Sequence, residues 1–389
     1  MFILKNANLI TMAPDLEEEF IGDIAVEGAV IKAVGKDLRF DGAEEIDLTG
    51  KTVIPGVIDA HCHIGMFEDG MGFEGDDGNE MSSTSTPELR AIDAINPYDK
   101  CFEEAMRGGV TTCVTGPGSA NVVGGQFVAI KTYGRDVEDM VLRFPVGMKA
   151  AFGENPKRVY ESRHTIYTRM QIAATLRKTL TKAKEYERKL EAANEDPSKA
   201  PDKDLAMEGM LPVIRRELPL KIHAHRADDI LTALRIAREF EIRVTLDHCT
   251  EGYMIPELLK EGIRDTGAGI IIGPLLCDRG KIELRNQSFK APVTLYQNGI
   301  EFAMMTDHPV IPEQYLPICA GLSVREGLPR YEALKSITIN AARITGLDDR
   351  VGSLEPGKDA DIAVFDGDPL EVYTHCVMTV INGRICHRA

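Results

Sequence analysis

The sequence predicts an α/β protein: a (β/α)₈ TIM barrel with a small composite β-sandwich formed by the N- and C-terminal segments. Three observations predict this class. Eight short Val- and Ile-rich runs in the middle of the chain alternate with polar or helical stretches. Both ends of the 389-residue chain carry short strands with alternating apolar and polar positions. The span from His61 to Asp307 is close to the roughly 250 residues of such a barrel.

Residues 1–55 and 351–389 each hold too few strands to enclose a core of their own. The first segment contains MFILKNANLI and GDIAVEGAVIKAVG, and the second contains GSLEPGKDADIAVFDGDPL and VMTVINGRICHRA. Glycine-rich, Pro-Gly and Asp-Gly turns separate these strands. We therefore expect the two segments to share one composite β-sandwich, with residues 56–350 forming the barrel between them.

The eight runs of the middle segment are VIPGVIDAH, TTCVTG, FVAIKTY, PVGMKAAFG, PLKIHAH, RVTLDHC, GIIIGPL and EFAMMTDH. Amphipathic helical stretches such as DDILTALRIAREF lie between them. A doubly wound open sheet is the competing arrangement, but no dinucleotide glycine fingerprint follows the first run. A helical excursion around 160–218 is longer than an ordinary barrel connection. It is interpreted as a solvated excursion or subunit contact, with a lid over the active site as the alternative.

Composition and charge narrow the expected partners. A net charge of −16 argues against nucleic acid and against an anionic membrane surface. No run approaches the roughly 18 apolar residues of a membrane helix, and the start MFILKNANLITMAPD lacks the basic stretch of a secretion signal. The eight cysteines show no Cys-x-x-Cys spacing, which indicates reduced thiols. We expect a cytoplasmic homo-oligomer that acts on a small molecule.

Potential metal ligands lie in or at the end of five of the eight runs. They are His61, His63, Lys149, His223, His225, Asp247, His248, Asp307 and His308. Alternate residues of a strand face the same side, so both imidazoles of His61 and His63 can point into the barrel mouth. The C-terminal ends of barrel strands meet at one rim, and imidazole with carboxylate suits a zinc-type catalytic site.

Lys149 lies in an otherwise apolar run, where a buried ammonium is costly unless it is paired or neutralised. Carboxylation of its amine by CO₂ would give a carbamate whose two oxygens bridge two divalent cations. Pairing with a buried carboxylate, or an outward orientation of the side chain, remains an alternative.

The chain resembles the amidohydrolase superfamily in PGVIDAHCH, in the histidines of the fifth and sixth runs, in Asp307 and in GSLEPGKDADIAVFD. The spacing from His63 to Lys149 resembles the hydantoinase and dihydroorotase side of that superfamily. The phrase HAHR is more similar to its imidazolonepropionase and prolidase-like branch.

This resemblance implies a binuclear centre. It assigns His61, His63 and Asp307 to the more buried metal, His223 and His248 to the more exposed one, and Lys149 as a bridging carbamate. Two Zn²⁺ ions are expected, with Mn²⁺ or Fe²⁺ as alternatives.

The resemblance also implies hydrolysis of an amide or cyclic-amide C–N bond, in an N-acyl amino acid, a dipeptide, or a lactam or hydantoin. Asp307 would move the proton. His225, Arg226 and Gln126, which ends the turn PGSANVVGGQ, are candidates for substrate binding. Deamination, lactone or ester hydrolysis and a non-catalytic scaffold remain alternatives, although Arg226 stands where related deaminases usually place a Glu.

Charged residues near the expected rim permit two interpretations of the substrate. The acidic ones are Glu68, Asp69, Glu74, Asp76, Asp77 and Glu80, and they form either a solvated loop or a site for an amine or guanidinium group. Lys157 and Arg158, together with Arg226, are candidates for binding a carboxylate.

Overall fold

The computed structural model describes residues 1–68 and 72–389, whose strands lie in two sheets. The strands are β1 (Phe2–Leu9), β2 (Phe20–Glu27), β3 (Val30–Gly35), β4 (Glu44–Asp47), β5 (Thr52–Pro55), β6 (Val57–Cys62), β7 (Val110–Thr115), β8 (Val123–Lys131), β9 (Val141–Ala151), β10 (Leu220–Ala224), β11 (Val244–His248), β12 (Gly269–Ile272), β13 (Ala303–Met304), β14 (Ile362–Phe365), β15 (Cys376–Ile381) and β16 (Arg384–Arg388).

The α-helices of the described residues lie between the barrel strands and after the last of them. They are α1 (Lys100–Arg107), α2 (Val137–Met140), α3 (Glu154–Glu161), α4 (Arg169–Glu195), α5 (Leu205–Ile214), α6 (Ala227–Phe240), α7 (Pro256–Thr266), α8 (Lys290–Gln297), α9 (Leu316–Arg325), α10 (Arg330–Ser336) and α11 (Ile339–Thr345). Local sequence explains several boundaries. For example, α7 begins at Pro256 and ends before Gly267, whose φ of 66° suits a helix C-terminus.

Strands β6 to β13 form one nearly closed barrel sheet, in sequence order. Every residue of β6, β7, β10 and β11 is buried, as expected for Val- and Ile-rich strands covered on both faces. Backbone hydrogen bonds from Asp307 N to the His61 carbonyl (3.2 Å) and from His63 N to the His308 carbonyl (2.9 Å) join its two edges. The predicted α/β class with an eight-stranded barrel sheet is confirmed.

One strand departs from the expected parallel (β/α)₈ pattern. Strand β8 is antiparallel to both β7 and β9, whereas the other neighbouring barrel strands are parallel. The segment 116–122 between β7 and β8 is too short for the dozen or more residues of a parallel crossover. The chain therefore turns back on itself, and the short helix α2 leads from β8 into β9.

The two ends of the chain contribute to a second sheet, with strand order β16–β15–β14–β5–β1–β2–β3 and β4 paired with β1. The central contact is antiparallel pairing of β14 with β5, in which Val364 lies opposite Val53. Buried side chains such as Leu4, Ile24 and Ile362 form its apolar core. The sandwich arrangement of this sheet and the division of the chain into two domains stay predictions.

The excursion between β9 and β10 contains α3, α4 and α5. Helix α4 begins after Thr168, whose side chain accepts a hydrogen bond from Gln171 N. Ile172, Leu176 and Leu180 are completely buried along one face of this helix. Whether the excursion acts as a lid or as a subunit contact stays a prediction. Among the described residues, no helix combines the length and apolar character needed to cross a membrane.

Candidate metal centre

Two groups of side chains lie at the C-terminal ends of the barrel strands. The carboxylate cluster consists of His61, His63 and Asp307, and the imidazole cluster consists of His223, His225 and His248. Within each cluster, one ligand atom per residue lies within 4.8 Å of the others. The clusters adjoin, because the ring centroids of His61 and His248 are 5.7 Å apart. The structure thus brings together histidines that are far apart in the sequence.

Backbone carbonyls fix the tautomer of one histidine in each cluster. His63 Nδ1 lies 2.6 Å from the Gly116 carbonyl oxygen, and His248 Nδ1 lies 2.9 Å from the Gly273 carbonyl oxygen. Because a carbonyl oxygen can only accept, Nδ1 carries the proton in both rings. In each of these rings, Nε2 is then the nitrogen that can bind a metal ion.

The Nδ1 atoms of the other three rings also have polar partners. His61 Nδ1 lies 2.7 Å from Asp247 Oδ2, which is itself 3.2 Å from Lys221 Nζ. His223 Nδ1 is 2.9 Å from the Ser119 hydroxyl, and His225 Nδ1 is 2.8 Å from the Thr250 hydroxyl. Such contacts to the non-ligating nitrogen orient metal-binding histidines.

Burial keeps the imidazoles of His61, His223 and His248 neutral. Burial and the nearby Lys149 lower the pKa of His61 to about 3, and burial lowers the pKa of His223 and His248 well below the ordinary value. The Nε2 atoms of His223 and His248 are buried and have no hydrogen-bond partner in the described parts of the chain. Unpartnered buried nitrogens of this kind are costly unless a ligand binds them.

The donor set fits divalent cations. His63 Nε2 lies 3.2 Å from Asp307 Oδ1, so the two atoms are close enough to bind one cation. The unpartnered Nε2 atoms of His223 and His248 in the imidazole cluster supply further donors. Imidazole nitrogen with carboxylate oxygen is a common donor set for catalytic zinc.

Lys149 is completely buried beside the carboxylate cluster, with Nζ 3.2 Å from His61 Nε2. Burial lowers its pKa to about 8. Within residues 1–68 and 72–389, no carboxylate lies within ion-pair distance of this amine; the nearby carboxylate of Asp247 contacts Lys221 instead. The side chain of Lys149 is therefore not oriented outward, and it is not paired with a carboxylate among the described residues.

Three residues at the site adopt left-handed backbone conformations. His248, Cys249 and Asp307 have φ values of 74°, 46° and 55°, in the left-handed region that non-glycine residues rarely adopt. The turn at His248 changes the alternation of strand β11. As a result, both Asp247 and His248 reach the site although they are adjacent in the sequence.

The side chain of Gln126, which was predicted to bind substrate, lies against Pro87 and helix α5. Its Nε2 lies 3.5 Å from the Pro87 carbonyl oxygen and faces Gly209 of helix α5. The next residue of strand β8, Phe127, occupies the barrel interior, with its ring centroid 5.1 Å from that of His61. Because successive side chains of a strand alternate, Gln126 points to the outside.

The other predicted substrate-binding residues have different environments. His225 belongs to the imidazole cluster, which makes it a candidate ligand as well as a candidate substrate contact. Arg226 forms two hydrogen bonds of 2.9 Å with Asp228, and Arg158 pairs with Glu154. These contacts partly neutralise the two guanidinium groups. That Lys157 and Arg226 bind a carboxylate of the substrate remains a prediction.

The acidic loop is solvated over most of its described length. Glu74, Asp76, Asp77 and Glu80 are exposed. Asp69 lies outside the described residues. The exposed positions favour the interpretation as a solvated loop over an amine site.

Sequence reasoning missed several residues that support the site. They are Ser119, Lys221, Thr250 and Glu283, and Asp247 was considered only as a potential metal ligand and not as a partner of His61. Glu283 Oε1 lies 3.8 Å from His225 Nε2, and burial raises the pKa of this carboxyl. A polar residue in an apolar run, as in PLKIHAH, was an available signal for Lys221. Glu283 lies outside any strand and had no comparable signal.

Known proteins resemble this chain along most of its length. The profile of the amidohydrolase family matches residues 52–386. Amidohydrolase tasK of Hapsidospora irregularis is 30% identical over 395 residues, which cover 94% of this chain and 40% of that protein. This chain therefore spans less than half of the length of that relative. A dihydroorotase of Lactobacillus leichmannii is 27% identical over 451 residues, covering 96% of each chain.

A solved structure agrees with both the fold and the family. The crystal structure of an amidohydrolase from Thermotoga maritima MSB8 is 42% identical to this chain, with a TM-score of 0.95 and coverage of 100% of both chains. The resemblance identified from the strand-end motifs is confirmed by these matches. Together with the profile match over residues 52–386, they show that the chain belongs to the amidohydrolase family.

Proposed function

We propose that this protein hydrolyses an amide or cyclic-amide C–N bond of a small molecule and that it uses two divalent cations, either Zn²⁺ or, as alternatives, Mn²⁺ or Fe²⁺. The observation that carries the proposal is the convergence of buried Nε2 lone pairs and one carboxylate at a single rim. The names amidohydrolase and dihydroorotase, carried by relatives over most of this chain, support it. Cytoplasmic location and a homo-oligomeric state remain part of the proposal.

The carboxylate cluster would hold one cation and the imidazole cluster the other. When bound, such cations polarise a carbonyl oxygen and lower the pKa of water towards neutrality. The sequence interpretation gave the second cation only His223 and His248. Because one ring nitrogen of His225 lies within 4.8 Å of a ligand atom of each, we assign His225 to the same cation.

Asp307 is the group best placed to move the proton. Its side chain retains 16% exposure, so the carboxylate faces the open mouth of the barrel. It would accept the proton of the attacking water and donate it to the departing nitrogen as the carbonyl C–N bond breaks. One carboxylate therefore acts first as a base and then as an acid.

We further propose that Lys149 is carboxylated. Its amine lies 3.2 Å from His61 Nε2, beside the junction of the two clusters. A carbamate there would replace a buried positive charge by a negative one, next to two cations. The same change would supply an anionic ligand to the imidazole cluster, which has no carboxylate among the three residues that define it.

The test is reconstitution followed by a substrate panel. Metal-free protein is reloaded with Zn²⁺ or Mn²⁺, its metal content is measured by elemental analysis, and it is assayed against N-acyl amino acids, dipeptides, hydantoins and lactams. We expect about two ions per chain and release of a carboxylate and an amine from at least one class. A lactone and an amino-substituted heterocycle serve as comparison substrates. Hydrolysis of these alone, or the absence of bound metal, would refute the proposal.

A further inference from the structure

Glu283 presents a buried carboxylate that is held in place at the barrel mouth. It lies in the 3₁₀ turn Ile282–Leu284, in the long segment after strand β12, and is 1% exposed. Its Oε2 atom accepts a hydrogen bond of 2.9 Å from Glu154 N. A Cβ atom at Gly153 would lie 2.6 Å from this oxygen, so the glycine makes room for the carboxylate.

The second oxygen of Glu283 is buried and unpartnered. No hydrogen bond to Oε1 occurs within the described parts of the chain, and no Lys or Arg there lies within ion-pair distance of the carboxylate. Its nearest basic atom is His225 Nε2 at 3.8 Å, which is beyond hydrogen-bond distance. Oε1 therefore faces the imidazole cluster without a proton donor.

A neighbouring carboxylate shows what such a group ordinarily requires. Asp229 is also 1% exposed, but Arg169 Nε lies 2.9 Å from its Oδ2 atom. A buried carboxylate with a vacant acceptor costs free energy that a bound cation or donor recovers. The described part of the protein supplies a cationic partner to Asp229 and none to Glu283 Oε1, which leaves this oxygen open to a ligand.

We propose that Glu283 binds the protonated amino group of the substrate. This inference rests on the proposed function and narrows its substrate class to amides that carry a free amine close to the scissile carbonyl, such as dipeptides with a free N-terminus. An ammonium group offers three donors and a full positive charge, which matches an anionic acceptor beside the metal-binding ring of His225. N-acylated analogues lack that charge and bind less well.

The test compares matched substrates that differ only in the amine. For the metal-loaded protein, kcat and KM are measured on a dipeptide and on its N-acetyl derivative. The wild-type protein should prefer the free dipeptide, and Glu283→Gln should reduce that preference about tenfold or more, chiefly through KM. Glu283→Asp, which keeps the charge, should retain most of the preference.

A matched control removes another buried carboxylate from the same region. Glu251 is 6% exposed, and its two oxygens accept hydrogen bonds from Ala227 N and Asn286 Nδ2. Glu251→Gln should change the rates for both substrates by the same factor. An equal loss on both substrates in Glu283→Gln, or a loss of bound metal in that variant, would overturn the assignment in favour of a structural or ligand role.

Calorimetry separates this inference from the proposed function. Binding of a free amino acid and of its N-acetyl derivative to the metal-loaded protein is measured without any turnover. Stronger binding of the free amino acid to wild-type protein, lost in Glu283→Gln, supports the amine subsite even if no amide is hydrolysed. Equal binding of the two compounds by wild-type protein would refute it, whatever the catalytic assay shows.

Discussion

The carboxylate cluster and the imidazole cluster adjoin at one rim but satisfy their polar atoms differently. In the carboxylate cluster, His61 Nε2 lies 3.2 Å from Lys149 Nζ, and His63 Nε2 lies 3.2 Å from Asp307. In the imidazole cluster, the Nε2 atoms of His223 and His248 have no hydrogen-bond partner within the described residues. One cluster contains a negative charge of its own, whereas the other consists of neutral rings.

This difference predicts two metal ions of unequal affinity. A carboxylate adds Coulombic attraction to a dication that a neutral imidazole does not provide. Among the residues proposed as ligands, a carbamate on Lys149 would supply comparable attraction to the imidazole cluster. We therefore expect the carboxylate cluster to bind its ion tightly. Binding of the other ion is expected to depend on carboxylation of Lys149 by CO₂.

The largest expected effect comes from Asp307, which serves both as a ligand and as the proton carrier. Asp307→Asn should lower kcat by about a thousandfold or more on whichever substrate the panel identifies, since it removes general acid–base catalysis. Steady-state kinetics with metal analysis measures this effect. Asp348→Asn, at an exposed site, is the control. Turnover close to that of the wild type would remove Asp307 from the mechanism.

Lys149→Ala should reduce the metal content from about two ions to about one per chain and abolish activity, because the imidazole cluster loses its anionic ligand. Short-chain carboxylic acids should restore part of the metal content and part of the activity, because they can occupy the space that the lysine side chain leaves. The control is Lys182→Ala, at an exposed position of helix α4, which should leave two ions bound. If Lys149→Ala retained two ions but lost activity, the imidazole cluster would not depend on an anionic ligand from Lys149.

Removal of metal should proceed in two steps. The imidazole-cluster ion is expected to leave at the lower chelator concentration, with a loss of thermal stability at each step. A ligand at about a hundred times its Kd stabilises the folded state by about 2.7 kcal/mol. Chelator titration followed by elemental analysis and Tm measures both quantities. His248→Gln should eliminate the first step alone, and simultaneous release of both ions would show that the two clusters are equivalent.

A smaller effect is expected from Asp247, whose carboxylate is hydrogen-bonded to His61 Nδ1. Asp247→Asn should weaken metal binding in the carboxylate cluster about tenfold to a hundredfold, because the hydrogen bond that orients His61 loses its charge. Competition with a chromophoric chelator gives the affinity of each ion. Unchanged affinity in the carboxylate cluster, or a loss confined to the imidazole cluster, would contradict this role.

The sequence was sufficient for the residues whose positions follow from strand ends. His61, His63, His223, His248 and Asp307 each close an apolar run, and the carboxyl ends of barrel strands meet whatever the details of packing. The direction of β8 was not predicted, because an apolar run has the same pattern in either direction. The shortness of the segment 116–122 was the available signal.

The supporting residues were harder to predict for physical reasons. Ser119 and Thr250 lie in loops, where no periodicity relates a side chain to a face. Asp247 contacts His61, 186 positions earlier in the chain, and no sequence pattern relates the two residues. Gln126 was assigned to the site from its place in a turn, but it lies within β8 and its neighbour Phe127 takes the inward position.

The sheet that joins both ends of the chain has a consequence for synthesis on the ribosome. Strand β5, which leads through Gly56 directly into the first ligand strand, is hydrogen-bonded to β14. More than three hundred positions separate the two strands, so β5 is translated long before its neighbour exists. During that interval the edge of Thr52–Pro55 lacks this partner and is open to pairing with other nascent chains. Variants that weaken β14 should therefore reduce the yield of soluble protein more than the activity of the molecules that do fold.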